Sequence, residues 1–540
     1  MLVNAPIETQ PHNKMTNMIL NRYKCFTKNF GHIKNNQQYF LRNVLVPVAW
    51  SNQGFVRFIT MVLFFALTAC SSLEQVTNSI MPKTPPSILY AAVVADEPTA
   101  VLTARDMLAR GGNAADAAVG LYFTLAVTLP SQAGIGSGGT CMVYDPRIET
   151  VKVLDFSHTS HGVVGDKLSI PMSVRGMAWL HARFGRLSWG SLLNKIASIA
   201  REGVTTSRGF ISDLKSEVPR LANDATALSL FFDRLGSPFG EGIILQQIEL
   251  GAVLGNIGAR GAGVFYRGAL AKRIISIAGT QGQKIDRTVL STAKPRWLNA
   301  KEIRFKEKSI FLPVTENQNR AAIFWQRFSK KRDLTFLKTR IGAVDLAKAL
   351  GPASAEESTA GVGSGFVVVD GDGLAVVCSV TTGRKFGTGK FLPGLGFALS
   401  PINRNRSNAL LLAIDKQNQK FLFGASGYSN SAGSTALTGV AARVLLTSDS
   451  LQEASDHPRA HVKHDGSIIL EKVIRAEKSE TVDYANTNIS HVRSIGRINA
   501  LYCPNGLPPA SRGDPACQVK ADRRGYGVGT RFKKDIRDKD

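Results

Sequence analysis

Apolar and polar positions change their spacing several times along the chain. A short apolar run at 89–96, LYAAVVAD, predicts a buried strand. Helical spacing follows over about 98–110. Pro98 suits a first turn, and Gly111-Gly112 ends it. Asn113 stands at an N-cap position before a second stretch, about 114–128, that is apolar on every side. Such a helix must be buried. After Pro130 comes Gly134-Ile135-Gly136-Ser137-Gly138-Gly139, and then two strand-like runs, CMVYD (141–145) and TVKVLDF (150–156), joined by a turn at Pro146-Arg147. Residues 174–203 and 246–279 read as mainly helical. From Gly365 the pattern shifts to strands, with FVVVD, GLAVVCSV and FLFGASG separated by Gly and Asp turns. No repeat of fixed period is visible, and the pattern alone predicts a mixture of helix and sheet.

Composition narrows this picture. The 540 residues are 44% hydrophobic and 20% charged, which is globular. Lys and Arg total 66 against 41 Asp and Glu, a formal charge of +25. That excess permits an anionic partner without choosing one. The basic residues are scattered, and Arg304, Lys306 and Lys308 alternate as on the solvent face of a strand, which favours a solvated surface. No helix-turn-helix, zinc spacing or aromatic-basic strand pattern is present, so nucleic acid is not an expected partner. The six cysteines form no CxxC pair, and neither a metal nor a cofactor is expected. Cys503 and Cys517 bracket a Pro/Gly-rich segment and could close it in an oxidising compartment.

The first ninety residues read as an address. Residues 58–69, FITMVLFFALTA, follow Arg57 and suit the apolar core of an export signal better than a bilayer span. Leu67-Thr68-Ala69-Cys70, followed by Ser71-Ser72, resembles the lipobox cut by lipoprotein signal peptidase. A lipid on the Cys70 thiol would then anchor the protein. A plain hydrophobic anchor or an ordinary signal peptide is the alternative. Residues 1–54 are polar and basic, which fits either a genuine extension or a start assigned too far upstream. The expected division is 1–54 extension, 55–70 signal, 71–87 tether, and a folded region in two parts, 88–362 and 363–540. The expected location is outside the bacterial cytoplasm, lipid-anchored and facing the periplasm.

Gly134-x-Gly136-x-x-Gly139 matches a dinucleotide fingerprint by letter, but that fingerprint needs a strand before it and a helix after it. Here the order is reversed, so nucleotide binding is rejected. With its flanks, GGNAADAAVGLYFTLAVTLPSQAGIGSGGTCMVYD (111–145) resembles the gamma-glutamyltransferase signature. VRGMAWLHARFGRLSWGSLL (174–193) with Arg201-Glu202-Gly203, GVFYRGALAKRI (263–274), FVVVDGDGLAVVCSVTTGRKFGTG (366–389), HPRAHV (457–462) and DRRGYGVG (522–529) resemble further family segments in order. The resemblance implies an α+β fold, the four-layer αββα sandwich of the N-terminal nucleophile hydrolases.

It also implies a chemistry. Family members cut themselves before a threonine, whose freed amine serves as base for its own hydroxyl in attacking a gamma-glutamyl amide such as that of glutathione. Aligned on Phe366 and Asp370, the nucleophile falls on Gly363, which has no hydroxyl. A slip of one residue offers Ser364, and Thr359 lies further off. The supporting threonine matches Thr381, but the asparagine that holds the substrate amine becomes Gly383. The carboxylate-binding arginine becomes Ser157, beside His158. The acidic pair for the amine matches Ser400-Pro401-Ile402-Asn403-Arg404-Asn405, which has no acid. The oxyanion turn matches Gly424-Ala425-Ser426-Gly427-Tyr428, where Ser426 and Gly427 remain and Tyr428 replaces a glycine. Candidate site residues are therefore Ser364 and Thr381 for catalysis, Ser157, Ser426 and Gly427 for substrate, and Cys70 for the lipid. Three readings stand: a family member with impaired or lost catalysis; an active gamma-glutamyl hydrolase or transferase using Ser364; and a non-catalytic basic lipoprotein on an anionic surface.

Overall fold

The computed structural model describes residues 88–148, 150–157, 168–305, 307–314, 316–328, 334–352, 362–402, 409–428, 430–472, 489–508 and 516–535. Cys70, the export segment, Thr359, His158 and residues 403–405 lie outside the described residues.

Two sheets face one another. The first runs β18-β1-β9-β10-β2-β3-β6, with β1 Ile88–Ala95, β2 Gly138–Asp145, β3 Thr150–Phe156, β6 Arg296–Asn299, β9 Val362–Val369, β10 Ala375–Gly383 and β18 Val528–Asp535. The second runs β17-β16-β12-β11-β8-β7, with β7 Lys301–Phe305, β8 Lys308–Leu312, β11 Ala409–Asp415, β12 Lys420–Tyr428, β16 Arg497–Leu507 and β17 Gln518–Ala521. A small sheet joins β13 Ala460–Val462, β14 Ile468–Glu471 and β15 Ile489–Val492, and a two-residue pair joins β4 Val204–Thr205 to β5 Ile244–Leu245.

Alternation along the strands builds the layers. Val94, Val367, Val377 and Met142 of the first sheet meet Leu410, Leu412 and Leu501 of the second in one core between the sheets. Val93, Val368, Val376 and Val143 face the other way, into helices that include α1 Pro98–Ala109, α2 Ala114–Thr128, α3 Ser173–Phe184 and α4 Trp189–Glu202. Leu411, Ala413, Phe423 and Ala425 face outward from the second sheet onto α5 Glu316–Phe328, α6 Arg340–Leu350, α7 Asn430–Leu446 and α8 Leu451–Asp456. Helix, sheet, sheet, helix is the sandwich the family resemblance implies. Strands from before and after residue 363 mix in both sheets, and the 362/363 boundary falls inside β9.

The signature residues at 111–145 hold this frame together. Asn113 caps α2 through its side-chain oxygen to Asp116 N, and Asp116 answers to Asn113 N, a reciprocal capping box. Asp116 also accepts from the amides of Arg186 and Leu187, which pins the α3–α4 corner. Asp370, just past β9, accepts from Ala114 N at 2.9 Å and so ties the first turn of α2 to the end of that strand. The glycine turn is held by Tyr122, whose hydroxyl donates to Gly134 O at 2.7 Å.

Two expectations change. Arg304 and Lys308 do not share one strand face, because the chain reverses between β7 and β8. The helical stretch expected at 246–279 is present. Gly261 and Gly268, both with φ of +80°, break it into Ile248–Arg260, Gly263–Tyr266 and Gly268–Thr280. Residues 424–428 are not a turn. They are the last half of β12, paired on both sides to β11 and β16.

Cys503 and Cys517 are joined, as their spacing allowed. A second disulfide joins Cys141 to Cys378, directly opposite one another on β2 and β10.

Candidate active site

The strand that holds the candidate nucleophile decides what the site can do. On β9, Val367 and Val369 face the gap between the sheets, while Phe366 and Val368 face the helices. Period-two alternation places Gly363 and Gly365 on the gap side and Ser364 on the helix side. Moving the nucleophile by one residue therefore moves it to the opposite face of the sheet.

The gap side is filled. Tyr428, on β12, is 6% exposed and lies over the two glycines. A Cβ added at Gly365 would stand 2.1 Å from Tyr428 Cε2 and 2.4 Å from Ser426 Oγ. One added at Gly363 would stand 2.3 Å from Val380 O and 3.2 Å from Tyr428 Cε1. Tyr428 is held by Ser426, oxygen to oxygen at 3.0 Å, and by Cys378 O at 3.3 Å. Burial pushes its phenol well above the ordinary value, against the opposing bonds from Ser379 and Ser426. The ring sits where a side chain at 365 would have to go, while at 363 the Val380 carbonyl is the nearer obstacle.

Ser364 itself is fully buried. Its hydroxyl donates to Asp96 Oδ2 at 2.9 Å. Asp96, at the end of β1, also pairs with Arg497 at 3.3 Å and accepts from Asn499 Nδ2 at 3.0 Å. Arg497 Nη2 donates to Gly363 O at 3.2 Å and to Gln132 Oε1 at 2.9 Å. Gln132 passes on to Asp213, which also takes the Ser131 hydroxyl and pairs with Lys385 at 2.8 Å. These partners of Ser364 were not singled out from sequence. The available signal was Arg497 and Asn499, two polar residues on the inward parity of an otherwise apolar strand, RINALYC.

The other candidates are placed as follows. Thr381 lies beside Gly363 in the ladder. Its hydroxyl donates to Val362 O at 2.5 Å and accepts from Gly383 N at 2.9 Å. Ser426 is buried against Tyr428. Gly427 lets β12 meet α7, since a Cβ there would stand 2.6 Å from Gly433 O. Ser157 follows the end of β3, past Phe156, which is three strands from Ser364 through Val380 and Gly139. Its hydroxyl goes to Asp155 Oδ1 at 2.5 Å, and Asp155 pairs with Arg296 at 2.6 Å. Burial alone would raise the Asp155 carboxyl, but Ser157 and Arg296 hold it below its usual range. Asp96, Ser364, Thr381, Ser426 and Tyr428 thus come together, while Ser157 stands apart.

Residues 100–340 match the family model described as gamma-glutamyltranspeptidase. The chain is similar to that family over those residues. The matched stretch ends before β9. Among curated relatives, mouse glutathione hydrolase 7 is 28% identical over 190 residues, 33% of this chain and 28% of that protein. The capsule biosynthesis protein CapD proenzyme of Bacillus anthracis is 26% identical over 343 residues, 56% of this chain and 63% of that protein. The matched stretches span less than two thirds of either relative. Among solved structures, a cephalosporin acylase from Bacillus halodurans superposes with a TM-score of 0.69 at 17% identity, over 84% of this chain and 99% of that one, which establishes the shared fold.

Proposed function

We propose that this chain is an exported member of the gamma-glutamyltranspeptidase family, held to the membrane by a lipid on Cys70, that does not transfer or hydrolyse gamma-glutamyl groups. One observation carries the reading: the gap between the sheets, where the family nucleophile would face, presents Gly363 and Gly365 under the Tyr428 ring. A gamma-glutamyl substrate of the kind named in glutathione hydrolase 7 finds neither a hydroxyl nor room there. Gly383, Ser157 and the acid-free 400–402 stretch offer no clamp for its charged ends. Two disulfides fit an oxidising compartment. Among the described residues no helix is long and apolar enough to cross a membrane.

A second reading draws on the Ser364 contacts. Asp96 accepts the Ser364 hydroxyl and Arg497 donates to the Gly363 carbonyl. These are the group types needed to cut the Gly363–Ser364 bond. Oγ would bond to the carbonyl carbon as its proton passes to Asp96. The C–N bond would break as the amine takes a proton, and water would then hydrolyse the ester.

One experiment separates the readings. The purified full chain is run on a denaturing gel with reductant, because the Cys141–Cys378 bond would hold the halves of a cut chain together. A single uncut band and no release of chromophore from a gamma-glutamyl anilide are expected. Two fragments, the smaller of about 180 residues, that vanish in Ser364→Ala would favour the second reading, and release of chromophore would overturn the first.

A further inference from the structure

Three arginines gather at one corner of the helix layer on the first sheet. Arg175 lies in α3, Arg267 joins the helices Gly263–Tyr266 and Gly268–Thr280, and Arg287 opens the helix Arg287–Thr292. Arg175 and Arg267 both donate through Nη2 to the Ser291 carbonyl, at 3.4 and 3.5 Å. The Arg175 guanidinium also stacks 3.7 Å from the centre of the Tyr266 ring, and its backbone amide donates to the Tyr266 hydroxyl at 2.8 Å. Among the described residues none of the three pairs with a carboxylate. Asp286, beside Arg287 in the chain, accepts from the Val289 amide at 2.7 Å instead. Burial lowers the Arg175 pKa, Tyr266 opposes that shift, and the charge on Arg267 adds to it, as a like charge close by must.

A cavity opens between them. Tyr266, Arg267, Gly268, Ala271, Arg287 and Ser291 line it, and its volume is about 290 Å³, many times what one water needs. Gly268 has a φ of +80°, and a Cβ there would meet nothing within 4 Å, so the backbone stands open at this point. The helix Gly268–Thr280 begins here with no side-chain cap and no acid in its first turn. Its first amides therefore add donors, and the positive end of the helix dipole, to the two lining guanidiniums.

We propose that this cavity binds a phosphate monoester dianion, held between the Arg267 and Arg287 guanidiniums at the start of the helix Gly268–Thr280. A dianion supplies the counter-charge that two lining arginines lack, and the guanidinium fork matches phosphate oxygens in pairs. A carboxylate would bring half the charge. Inorganic phosphate and the phosphate headgroup of a lipid share this chemistry. The site has no residue in common with the Gly365–Tyr428 contact and does not depend on whether Ser364 reacts.

Thermal unfolding of the full chain at neutral pH, in sodium phosphate and in sodium chloride at equal ionic strength, tests the site. A saturable rise in Tm with phosphate, beyond that with chloride, is expected. Arg267→Gln and Arg287→Gln change exposed side chains, and each should raise the half-saturating phosphate concentration about tenfold or more. Lys272→Gln removes the same charge from the same helix without touching the cavity wall, and should leave the response unchanged. Soluble dihexanoyl phosphatidic acid identifies the source. Saturation at lower concentration than inorganic phosphate would support the site as one for a lipid headgroup, and the reverse order as one for free phosphate. Equal Tm in phosphate and chloride, an undiminished response with both arginines replaced, an equal loss in Lys272→Gln, or a rise that dihexanoyl phosphatidylcholine matches would overturn the proposal in favour of a solvated basic surface.

Discussion

Gly365→Ala tests whether Tyr428 plugs the site. Gly365 does not have positive φ, so its backbone accepts alanine. In a strand, alanine should then be favoured over glycine by roughly 0.5–1 kcal/mol. The ring reverses that sign. The new Cβ would stand 2.1 Å from Tyr428 Cε2, 1.3 Å inside the 3.4 Å at which ordinary contact begins. Moving a ring clamped between two sheets by that much costs about 3 kcal/mol, the upper end for overpacking. Tyr428→Ala alone opens a cavity and should cost roughly 3–5 kcal/mol. With the ring gone, only Ser426 Oγ must rotate aside, and Gly365→Ala should become neutral or slightly stabilising. The cycle then has a coupling of at least about 2 kcal/mol, where independent sites add to within about 0.5 kcal/mol. Equilibrium urea unfolding of the four proteins gives the number. Tyr428→Phe keeps the ring and should leave Gly365→Ala as costly as before. Additive single-variant effects would refute the plug, and with it the observation on which the loss of glutamyl chemistry rests.

Two further outcomes are expected. Folding holds the His461 imidazole at a pKa of about 4 against 6.5 when unfolded. Its contribution is complete above pH 6.5 and is lost as pH falls toward 4, because the unfolded chain takes the proton first. The loss should be roughly 3 kcal/mol. Urea midpoints at pH 7.5 and 4.5 should show the unmodified chain losing that lead over His461→Gln, and parallel pH curves would count against it. Cys141→Ala with Cys378→Ala removes a link spanning 237 residues. It should lower the unfolding free energy by roughly 2–4 kcal/mol, read from denaturant midpoints without reductant. An unchanged midpoint, or two reactive thiols in the unfolded parent chain beyond those of Cys25 and Cys70, would deny the bond.

What could be read from sequence follows how local each signal is. The bounds of α1 and α2 were legible because Pro98, Gly111 and Asn113 act within one turn of themselves. The β2–β3 hairpin was legible because its turn is short. Cys503 and Cys517 are 14 residues apart and drew notice, whereas Cys141 and Cys378 become neighbours only once β2 and β10 pair. The glycines at 424–427 suggested a turn. Partner strands on both sides hold them extended, and those partners lie far away in sequence. The hardest feature was parity. Gly363 and Ser364 look interchangeable as letters, yet the sheet sends them to opposite faces.

Parity also explains how the family likeness survives beside a filled site. Asn113, Asp116 and Asp370 belong to the matched segments, and each satisfies backbone amides that burial would otherwise leave unpaired. Arg459, Asp522 and Arg524 do the same for the C-terminal segments through buried ion pairs. Breaking any of these leaves a buried charge or amide without a partner, so the fold itself demands them. The positions facing the gap between the sheets are under no such demand. Gly365 and Tyr428 there form a close-packed contact that is good for a core. The signature segments therefore report the frame. The proposed loss of chemistry must be judged at β9 and β12, where the Tyr428 ring packs on Gly365.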